Sequence, residues 1–528
     1  MTNIKKKVSL MLVLLSLFGL LSGCMTGDVA ETEPPLPEND IVLETPNIVA
    51  VDNVFSLNIN RDVSLNPMTT TDANNVLCTQ LMYENIYNVD NTFTASSNIV
   101  LEASCDNGIN WMLTIDTSVT FWDGSTLTAS DVAYSLQRAK QSSRLRERLT
   151  DISGISAMSE NQVAITLVNY NMQLPNLLTI PVIKEGSIEE SAPLGTGPYM
   201  PDEGRTKLVA FSGHRDFDTL PLDTIYLKEI RETDKAITAY ENSEIDLVQN
   251  DPTGLLNLGY GAANDLRYYP TTNMHYLGFN SRSRFFSNPL CRKAMTYVVN
   301  REHIVNDVLG GAAVEAALPM NPVSPLYNSI YSELVSYSVK KSEDAFYEAE
   351  VRDYDDDDFR EIMITGIPVE TDIVFIVCGD NAQKLAAAQS IADNLTNLGI
   401  KVELRSLTWD QYVSALQQGK FDMYYAETML TADFNPSNLL LKNRALNYGK
   451  FEDLVLAEKI NNYMLAPDSE RRREADFMNQ YIVETAPIVT ICFERHQVVS
   501  HRGVISGMKP SQYNVFQNIG EWKVNLGD

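Results

Sequence analysis

Apolar and polar side chains alternate along residues 110–121, which predicts a β-strand with one buried face. Asp123-Gly124 follows and predicts a turn. Thr128 can then cap a helix over residues 129–140, with Asp131 three positions later as in a capping box. Strand and helix patterns of this kind alternate throughout the chain, which predicts an α/β fold.

A second stretch repeats this order closer to the C-terminus. Residues 385–398 carry apolar side chains at helical spacing up to Gly399, and residues 401–407 then alternate like a strand. A Thr408-capped helix and a strand over residues 421–426 follow. Helices and strands joined by such short links predict a mostly parallel sheet.

One further helix is predicted from its first residues. Asn288 can serve as its cap and Pro289 as its first helical residue. Its apolar stripe runs through Met295, and we expect Gly310-Gly311 to end it.

The N-terminus has the pattern of a secretory signal. Three lysines at positions 5–7 precede an apolar run over residues 8–22, which is too short for a comfortable membrane span of about 20 residues. The run ends in Leu21-Ser22-Gly23-Cys24, which resembles the bacterial lipobox, so we expect cleavage before Cys24 and acylation of its thiol. Residues 1–23 are therefore predicted to be a lipoprotein signal peptide, and the acidic, proline-rich residues 24–48 an extended tether.

Composition limits the function of the remaining body of about 480 residues, which is too long for a single core. The net charge of −28 argues against a nucleic-acid partner, because such binders need basic patches. The acidic run at residues 353–358 lacks the glycine and final acidic residue of an EF-hand loop, so we expect a solvated loop. With Cys24 acylated, five widely spaced cysteines remain, and we expect buried thiols rather than a disulfide framework.

An enzyme is not predicted. The chain has five histidines and contains no G-x-S-x-G, H-E-x-x-H or Walker-type motif. His496 and His501 are spaced too loosely to indicate a metal site. We therefore predict no catalytic residues, no metal and no cofactor.

Several segments resemble, in order and spacing, motifs of the family 5 extracytoplasmic solute-binding proteins of peptide and nickel ABC importers. The segment Phe121-Trp122-Asp123-Gly124 with residues 125–132 is similar to the family signature, although Trp122 stands where histidine is usual. In a second motif, residues 83–86, Asn85 stands where glycine is usual. Residues 339–371 do not align with the family. The other matching segments are Ser64-Leu65-Asn66-Pro67, Tyr83-Glu84-Asn85-Ile86, Gly195-Thr196-Gly197-Pro198-Tyr199, Leu277-Gly278-Phe279-Asn280, Arg292-Lys293-Ala294, Asn300-Arg301-Glu302, and residues 394–400.

The resemblance implies a fold of the periplasmic-binding-protein type II class, with two lobes and three domains around a central ligand cleft. It implies a discontinuous first domain, a second domain inserted into it, and a third domain that forms the other lobe. Carried onto this chain, the predicted boundaries are 49–86, 189–275 and 495–528 for domain I, 87–188 for domain II, and 276–494 for domain III.

The resemblance also implies residues for the ligand. Trp409, which opens a helix, would pack on a ligand side chain, and Asp433 would pair with the α-ammonium of a peptide. Glu84 and Ile86 match positions that line the same cleft. Tyr276 is expected to be an aromatic of this cleft, but a buried residue of a core strand would explain it equally well. A core anchor would explain Trp409 equally well, and a loop carboxylate in an Asx turn would explain Asp433.

Three binding functions stay open at this point. The first is capture of peptides for an ABC importer, with a membrane permease, its cytoplasmic ATPase and a lipid-anchored, monomeric binding protein on the outer face of the cytoplasmic membrane. The second is binding of a nickel chelate, heme or another small solute on the same scaffold. The third is a receptor that senses peptides without transporting them.

Overall fold

The computed structural model describes residues 53–254 and 264–526. The predicted signal peptide, the tether and Cys24 lie outside these ranges. No helix within them is long and apolar enough to cross a membrane.

A long pair of antiparallel strands forms the centre of the largest sheet. Asn264–Phe279 pairs with Ile488–His501 along most of its length, with register shifts near Pro270 and His275. In spatial order the strands of this sheet in the described ranges are Leu247–Asn250, Ile488–His501, Asn264–Phe279, Met423–Met429, Ile373–Cys378 and Val402–Leu407, and Ala313–Glu315 also pairs with Ile488–His501.

The prediction of a mostly parallel sheet is correct only at one edge of this sheet. Ile373–Cys378 runs parallel to both Val402–Leu407 and Met423–Met429, as the alternating helices require. The other strand pairs are antiparallel. They join residues at least 144 positions apart in the chain, and local periodicity carries no information about such pairings.

Smaller sheets account for the other strands of the described part. The first sheet, in spatial order, consists of Ser56–Ile59, Thr224–Glu229, Lys207–Ala210 and Tyr199–Pro201. The second is antiparallel and consists of Val100–Cys105, Asn110–Ile115, Gln162–Leu167 and Ile152–Ala157. The remaining sheets are Val351–Arg352 with Glu361–Ile364 and Ile367–Glu370, Asn88–Val89 with Ala95–Ser96, and Ile505–Ser506 with Lys523–Val524.

Helices connect these strands and cover the sheets. The α-helices of the described residues are Ala73–Met82, Ala129–Ala139, Leu174–Leu177, Thr233–Glu241, Pro289–Val298, Arg301–His303, Ile330–Leu334, Val339–Glu348, Ala382–Asn397, Trp409–Gln418, Ser437–Leu440, Leu454–Leu465 and Asp468–Thr485. Short 3₁₀ turns occupy Arg146–Leu149, Phe217–Thr219 and Ile519–Glu521, and Ile304–Val308 forms a π turn.

The caps predicted for these helices are confirmed. Thr128 and Asp131 form a reciprocal capping box at the start of Ala129–Ala139. Thr408 and Gln411 form another at the start of Trp409–Gln418. Asn288 caps Pro289–Val298 through the backbone N–H of Leu290.

Two predicted element ends are wrong. The helix from Pro289 ends at Val298 rather than at Gly310-Gly311, because Asn300 caps a new turn through the N–H of His303. The strand from Asn110 ends at Ile115 rather than at residue 121. Asp116 next accepts hydrogen bonds from the N–H and hydroxyl of Ser118, which turns the chain.

The segment 339–371, which did not align with the family, forms the helix Val339–Glu348 and the three-stranded sheet described above. The acidic run lies in an exposed loop between two strands of that sheet. There the carboxylate of Asp353 accepts hydrogen bonds from the N–H groups of Asp356, Asp357 and Asp358.

The buried apolar side chains group by sequence region. One cluster joins Phe55 and Leu57 to residues near the C-terminus, including Phe516 and Trp522. Two others contain mainly residues between 274 and 493, among them Phe375 and Tyr463. The C-terminal segment therefore packs with the first part of the chain.

Candidate ligand-binding site

Trp409 and Tyr276 line one cavity of about 650 Å³. The capped helix start fixes the backbone of Trp409, whose N–H donates to Asp380 Oδ2 at 3.0 Å. The indole is 60% exposed, so it is not the core anchor that the sequence left possible. An exposed indole at the mouth of a cavity offers a broad apolar face to a ligand.

Tyrosines form much of the wall behind Trp409. The ring of Tyr412 lies 6.3 Å from that of Trp409, and its hydroxyl donates to the carbonyl of Tyr425 at 2.7 Å. Tyr276 comes from the long central strand and packs edge-on against Tyr424. Burial raises the pKa of the phenols of Tyr276, Tyr412 and Tyr425, so these groups remain neutral.

Charged groups complete the cavity on the side of the parallel strands. Lys384 Nζ forms an ion pair with Glu427 Oε2, and the two side chains are 22% and 26% exposed. Asp380 lies at the carboxyl end of Ile373–Cys378, before the helix that begins at Ala382. The cavity thus combines apolar walls with groups of both signs, which suits a ligand that carries charged ends.

Asp433 lines a different cavity, also of about 650 Å³. Its side chain is buried, and its carboxylate accepts hydrogen bonds from Asn171 Nδ2 at 2.9 Å, from the Thr431 hydroxyl and from the N–H of Asn435 at 3.3 Å. Burial raises the pKa of Asp433, although these hydrogen bonds oppose the shift. The Asx turn that the sequence allowed is present, but a second contact joins this carboxylate to a residue 262 positions away.

Glu84 and Ile86 line neither of these two cavities. The carboxylate of Glu84 forms an ion pair with Arg215 and lies 3.8 Å from His214 Nε2. Ile86 is fully buried in the core, and its N–H donates to the carbonyl of Ile180 at 2.9 Å. Of the five predicted site residues, Trp409 and Tyr276 therefore line one cavity and Asp433 lines another. Glu84 and Ile86 line neither.

The sequence interpretation missed Lys384, Glu427 and Asn171. Lys384 and Asp380 could have been found, because ligands bind at the carboxyl ends of parallel strands and the sequence does predict a strand and helix around them. Glu427 and Asn171 gave no local signal, since each acquires its partner from a distant segment.

The family model "Bacterial extracellular solute-binding proteins, family 5 Middle" matches residues 102–447. The chain belongs to this family. Among curated relatives, the oligopeptide-binding protein AppA of Bacillus subtilis (strain 168) is 22% identical over 460 residues, covering 79% of this chain and 81% of AppA. The glutathione-binding protein GsiB of Escherichia coli (strain K12) is 23% identical over 288 residues, covering 51% of this chain and about half, 55%, of GsiB.

Solved structures confirm the predicted fold class for this family 5 protein. The murein tripeptide binding protein MppA, in an unliganded open form, superimposes with a TM-score of 0.73 at 15% identity, covering 91% of this chain and 99% of MppA. The nickel ABC transporter protein of Bacillus halodurans also gives 0.73 at 18% identity, covering 89% of this chain and 99% of that one. These likenesses establish the periplasmic-binding-protein type II fold.

Proposed function

We propose that this family 5 protein is the substrate-binding component of an ABC importer and that it captures peptides. Family membership supports the role of a solute-binding component, and the oligopeptide-binding relative supports the ligand class. One observation favours a peptide as the ligand. The aromatic cavity of Trp409 lies close to a second cavity, which is lined by the buried carboxylate of Asp433. Met429 lines the cavity of Trp409, and Thr431 lines the cavity of Asp433.

An extended peptide is long enough to reach both cavities. Two residues of extended chain span at most about 7 Å, so Met429 and Thr431 lie within that distance of each other. A bound peptide in extended conformation advances about 3.3 Å per residue. We propose that its α-ammonium sits at Asp433 while the side chain of a following residue packs against Trp409.

A carboxylate is the appropriate partner for the end of a peptide. An ammonium group that leaves water without a partner costs several kcal/mol, and a charge-assisted hydrogen bond to a fixed carboxylate offsets this cost. Every free peptide carries an α-ammonium, whatever its side chains. Aromatic walls accept varied side chains, so the two features together support binding with little sequence preference.

The test is a double-mutant cycle by isothermal titration calorimetry, with tri-alanine and N-acetyl-tri-alanine as ligands. Asp433→Asn keeps the shape of the side chain and should weaken binding of tri-alanine by about 2–5 kcal/mol, as for other charge pairs broken on one side. The acetylated peptide should bind the wild type weakly and should lose nothing further in the variant.

The control is Asp410→Asn, an exposed carboxylate in the first turn of the Trp409 helix, which should leave both affinities unchanged. Additive losses, without coupling between the amine and Asp433, would contradict the assignment. Tight binding of nickel–histidine with no binding of either peptide would favour the small-solute function instead.

We infer a lipid anchor from the lipobox-like segment that ends at Cys24. A diacylated thiol carries at least two chains, which is enough for stable anchoring. Cys24→Ala should therefore block processing or release the protein from the membrane fraction, and globomycin should block processing of the wild type. Unchanged processing and unchanged membrane association of the variant would contradict the anchor.

The remaining parts of the proposal follow from the same assignment. We propose a monomeric, non-enzymatic protein on the outer face of the cytoplasmic membrane that delivers its ligand to a permease. The domain layout remains a proposal with the boundaries given above, and it is supported by the packing of the C-terminal segment with the first part of the chain.

A further inference from the structure

A group of metal-ligand side chains lies beside the central strand pair, and the proposed function does not use it. Asp251 follows the strand Leu247–Asn250, and Glu494 and His496 stand two positions apart on Ile488–His501. Residues two apart point to the same face of a strand. His496 Nε2 lies 3.6 Å from Asp251 Oδ1 and 3.7 Å from Glu494 Oε2.

These distances match a coordination sphere better than a hydrogen-bonded cluster. Ligand atoms bound at 2.0–2.2 Å in a tetrahedral arrangement lie about 3.4 Å from one another. The three ligand atoms of this group all lie within 4.8 Å of one another. His496 Nε2 is buried and has no hydrogen-bond partner among the described residues, so it is available to a metal ion.

Neighbouring groups hold the two carboxylates in place. Glu494 is 2% exposed, and its oxygens contact His275 Nε2 at 2.7 Å and Asn273 Nδ2 at 2.9 Å. Asp251 Oδ1 accepts hydrogen bonds from the N–H and hydroxyl of Thr253 at 2.9 and 2.8 Å. Such outer contacts orient metal ligands in known sites.

We propose that Asp251 Oδ1, Glu494 Oε2 and His496 Nε2 bind a divalent transition-metal ion of the zinc class. One imidazole and two carboxylates favour Zn²⁺ over Mg²⁺ or Ca²⁺, which prefer oxygen ligands alone. Three protein ligands leave a fourth position for water or for a group of the ligand.

Such an ion would stabilise one wall of the Trp409 cavity. Gly254 lines that cavity, and the carbonyl of Thr253 accepts a hydrogen bond from Asn381 Nδ2 at 2.9 Å. The ion would fasten the segment 251–254 to the strand Ile488–His501. We expect this segment to be better ordered when the ion is bound.

The experiment is isothermal titration of the full chain, purified in detergent without an affinity tag and stripped with a chelator. ZnCl₂ should bind with a stoichiometry of one, and MgCl₂ should give no saturable heat. His496→Ala should weaken zinc binding by more than about tenfold, since loss of even an outer contact costs about 10- to 100-fold.

Two variants act as matched controls. His303→Ala removes a histidine that, like His496, contacts a carboxylate, here Asp307 at 2.7 Å. The side chain of His303 is exposed, and the residue is far in sequence from the proposed metal ligands. Asp355→Asn changes the exposed acidic run. Both controls should bind zinc like the wild type. If His496→Ala does not fold, His496→Gln and Asp251→Asn repeat the test with smaller changes of side-chain shape.

Two results would overturn the proposal. The first is no saturable zinc binding to the wild type, which would mean that His496 serves as an imidazolium between two carboxylates. The second is zinc binding that survives in His496→Gln and Asp251→Asn but is lost in Asp355→Asn, which would assign the ion to the acidic run. Tri-alanine binding, measured on the chelator-stripped samples before zinc is added, reports on the proposed function separately from either result.

Discussion

At the scale of single residues, the environment of Asp433 is the most informative feature of the site. Its carboxylate is buried, and an amide from a distant segment, Asn171 Nδ2, occupies one oxygen at 2.9 Å. An incoming ammonium must take the place of that amide or share the oxygen with it. Asn171 is therefore a competitor for the proposed ligand anchor in the protein without ligand.

This competition makes a prediction with opposite signs for stability and binding. Asn171→Ala should lower the free energy of unfolding of the ligand-free protein by about 1–3 kcal/mol, because it leaves a buried carboxylate short of a partner. The same change should strengthen tri-alanine binding by up to about tenfold, because the ammonium no longer displaces an amide. Chemical denaturation and calorimetry measure the two effects.

The matched control is Gln389→Ala, which removes an exposed amide that donates to Asp393 at 2.7 Å and lines neither cavity. It should change neither quantity by more than about 0.5 kcal/mol. Weaker peptide binding by Asn171→Ala would show instead that the amide contacts the ligand.

At the scale of elements, Glu84 connects two segments of the chain through an ion pair. It follows the helix Ala73–Met82, and its carboxylate meets Arg215 and His214 near the short turn Phe217–Thr219. Burial disfavours the charged form of Glu84, but the contacts with His214 and Arg215 outweigh it and lower its pKa. The ion pair thus fastens two segments about 130 positions apart in the chain.

The lowered pKa of Glu84 predicts how the stability of this connection depends on pH. A carboxyl group whose pKa is lower in the folded state than in the unfolded state stabilises the fold at pH values above its ordinary pKa, here 4.5. This stabilisation is lost as the pH falls through the folded-state pKa. Arg215→Met should cost about 1–3 kcal/mol at pH 7. This is less than for a fully buried pair, because the arginine side chain is 34% exposed.

The difference in unfolding free energy between wild type and Arg215→Met should shrink as the pH falls below 4.5. Urea denaturation at several pH values measures it. Arg146→Met is the control, since Arg146 pairs with Glu147 on the surface and both side chains are more than half exposed. A pH-independent difference would mean that Arg215 contributes through packing alone.

Elements also show how far the sequence could predict this structure. The capped helices at Thr128, Asn288 and Thr408 were predictable because a cap and its apolar stripe are local. The helix end at Val298 was not predicted. Asn300 caps a new turn there, and the buried guanidinium of Arg301 in that turn donates to carbonyls of Ala316, Thr490 and Val335, which no local pattern indicates. The motifs that carry the family resemblance predicted the fold class, but no local pattern predicted the antiparallel pairing of the two longest strands.

The candidate site divides in the same way. The position of Trp409 as the first residue of a capped helix was predictable. The sequence could not tell whether its side chain is exposed or part of the core, and only the structure shows that it is 60% exposed. The pairing of Asp433 with Asn171, and of Lys384 with Glu427, depends on contacts across 262 and 43 positions. Such contacts follow from the whole fold rather than from any window of sequence.

At the scale of the whole molecule, the residues around Asp433 connect distant parts of the chain. Met172 N–H donates to the carbonyl of Met464 at 2.8 Å, and Arg471 donates to the carbonyl of Met172 at 3.1 Å. Asn176 Nδ2 contacts the carbonyl of Ala432 at 3.3 Å. In the proposed layout these contacts join domain II to domain III, so a ligand that binds at Asp433 acts at the boundary between them.

A ligand at this boundary should shift the balance between open and closed arrangements of the domains. It can do so only by its difference in affinity for the two, and a peptide that contacts both domains at once binds the closed one better. Small-angle X-ray scattering should therefore show a smaller radius of gyration when tri-alanine saturates the protein.

N-acetyl-tri-alanine at the same concentration should leave the radius of gyration unchanged, because it cannot pair with Asp433. Asp433→Asn should show no compaction at a concentration of tri-alanine that saturates the wild type. If tri-alanine binds the wild type tightly and the radius of gyration stays the same, binding does not close the domains of this protein.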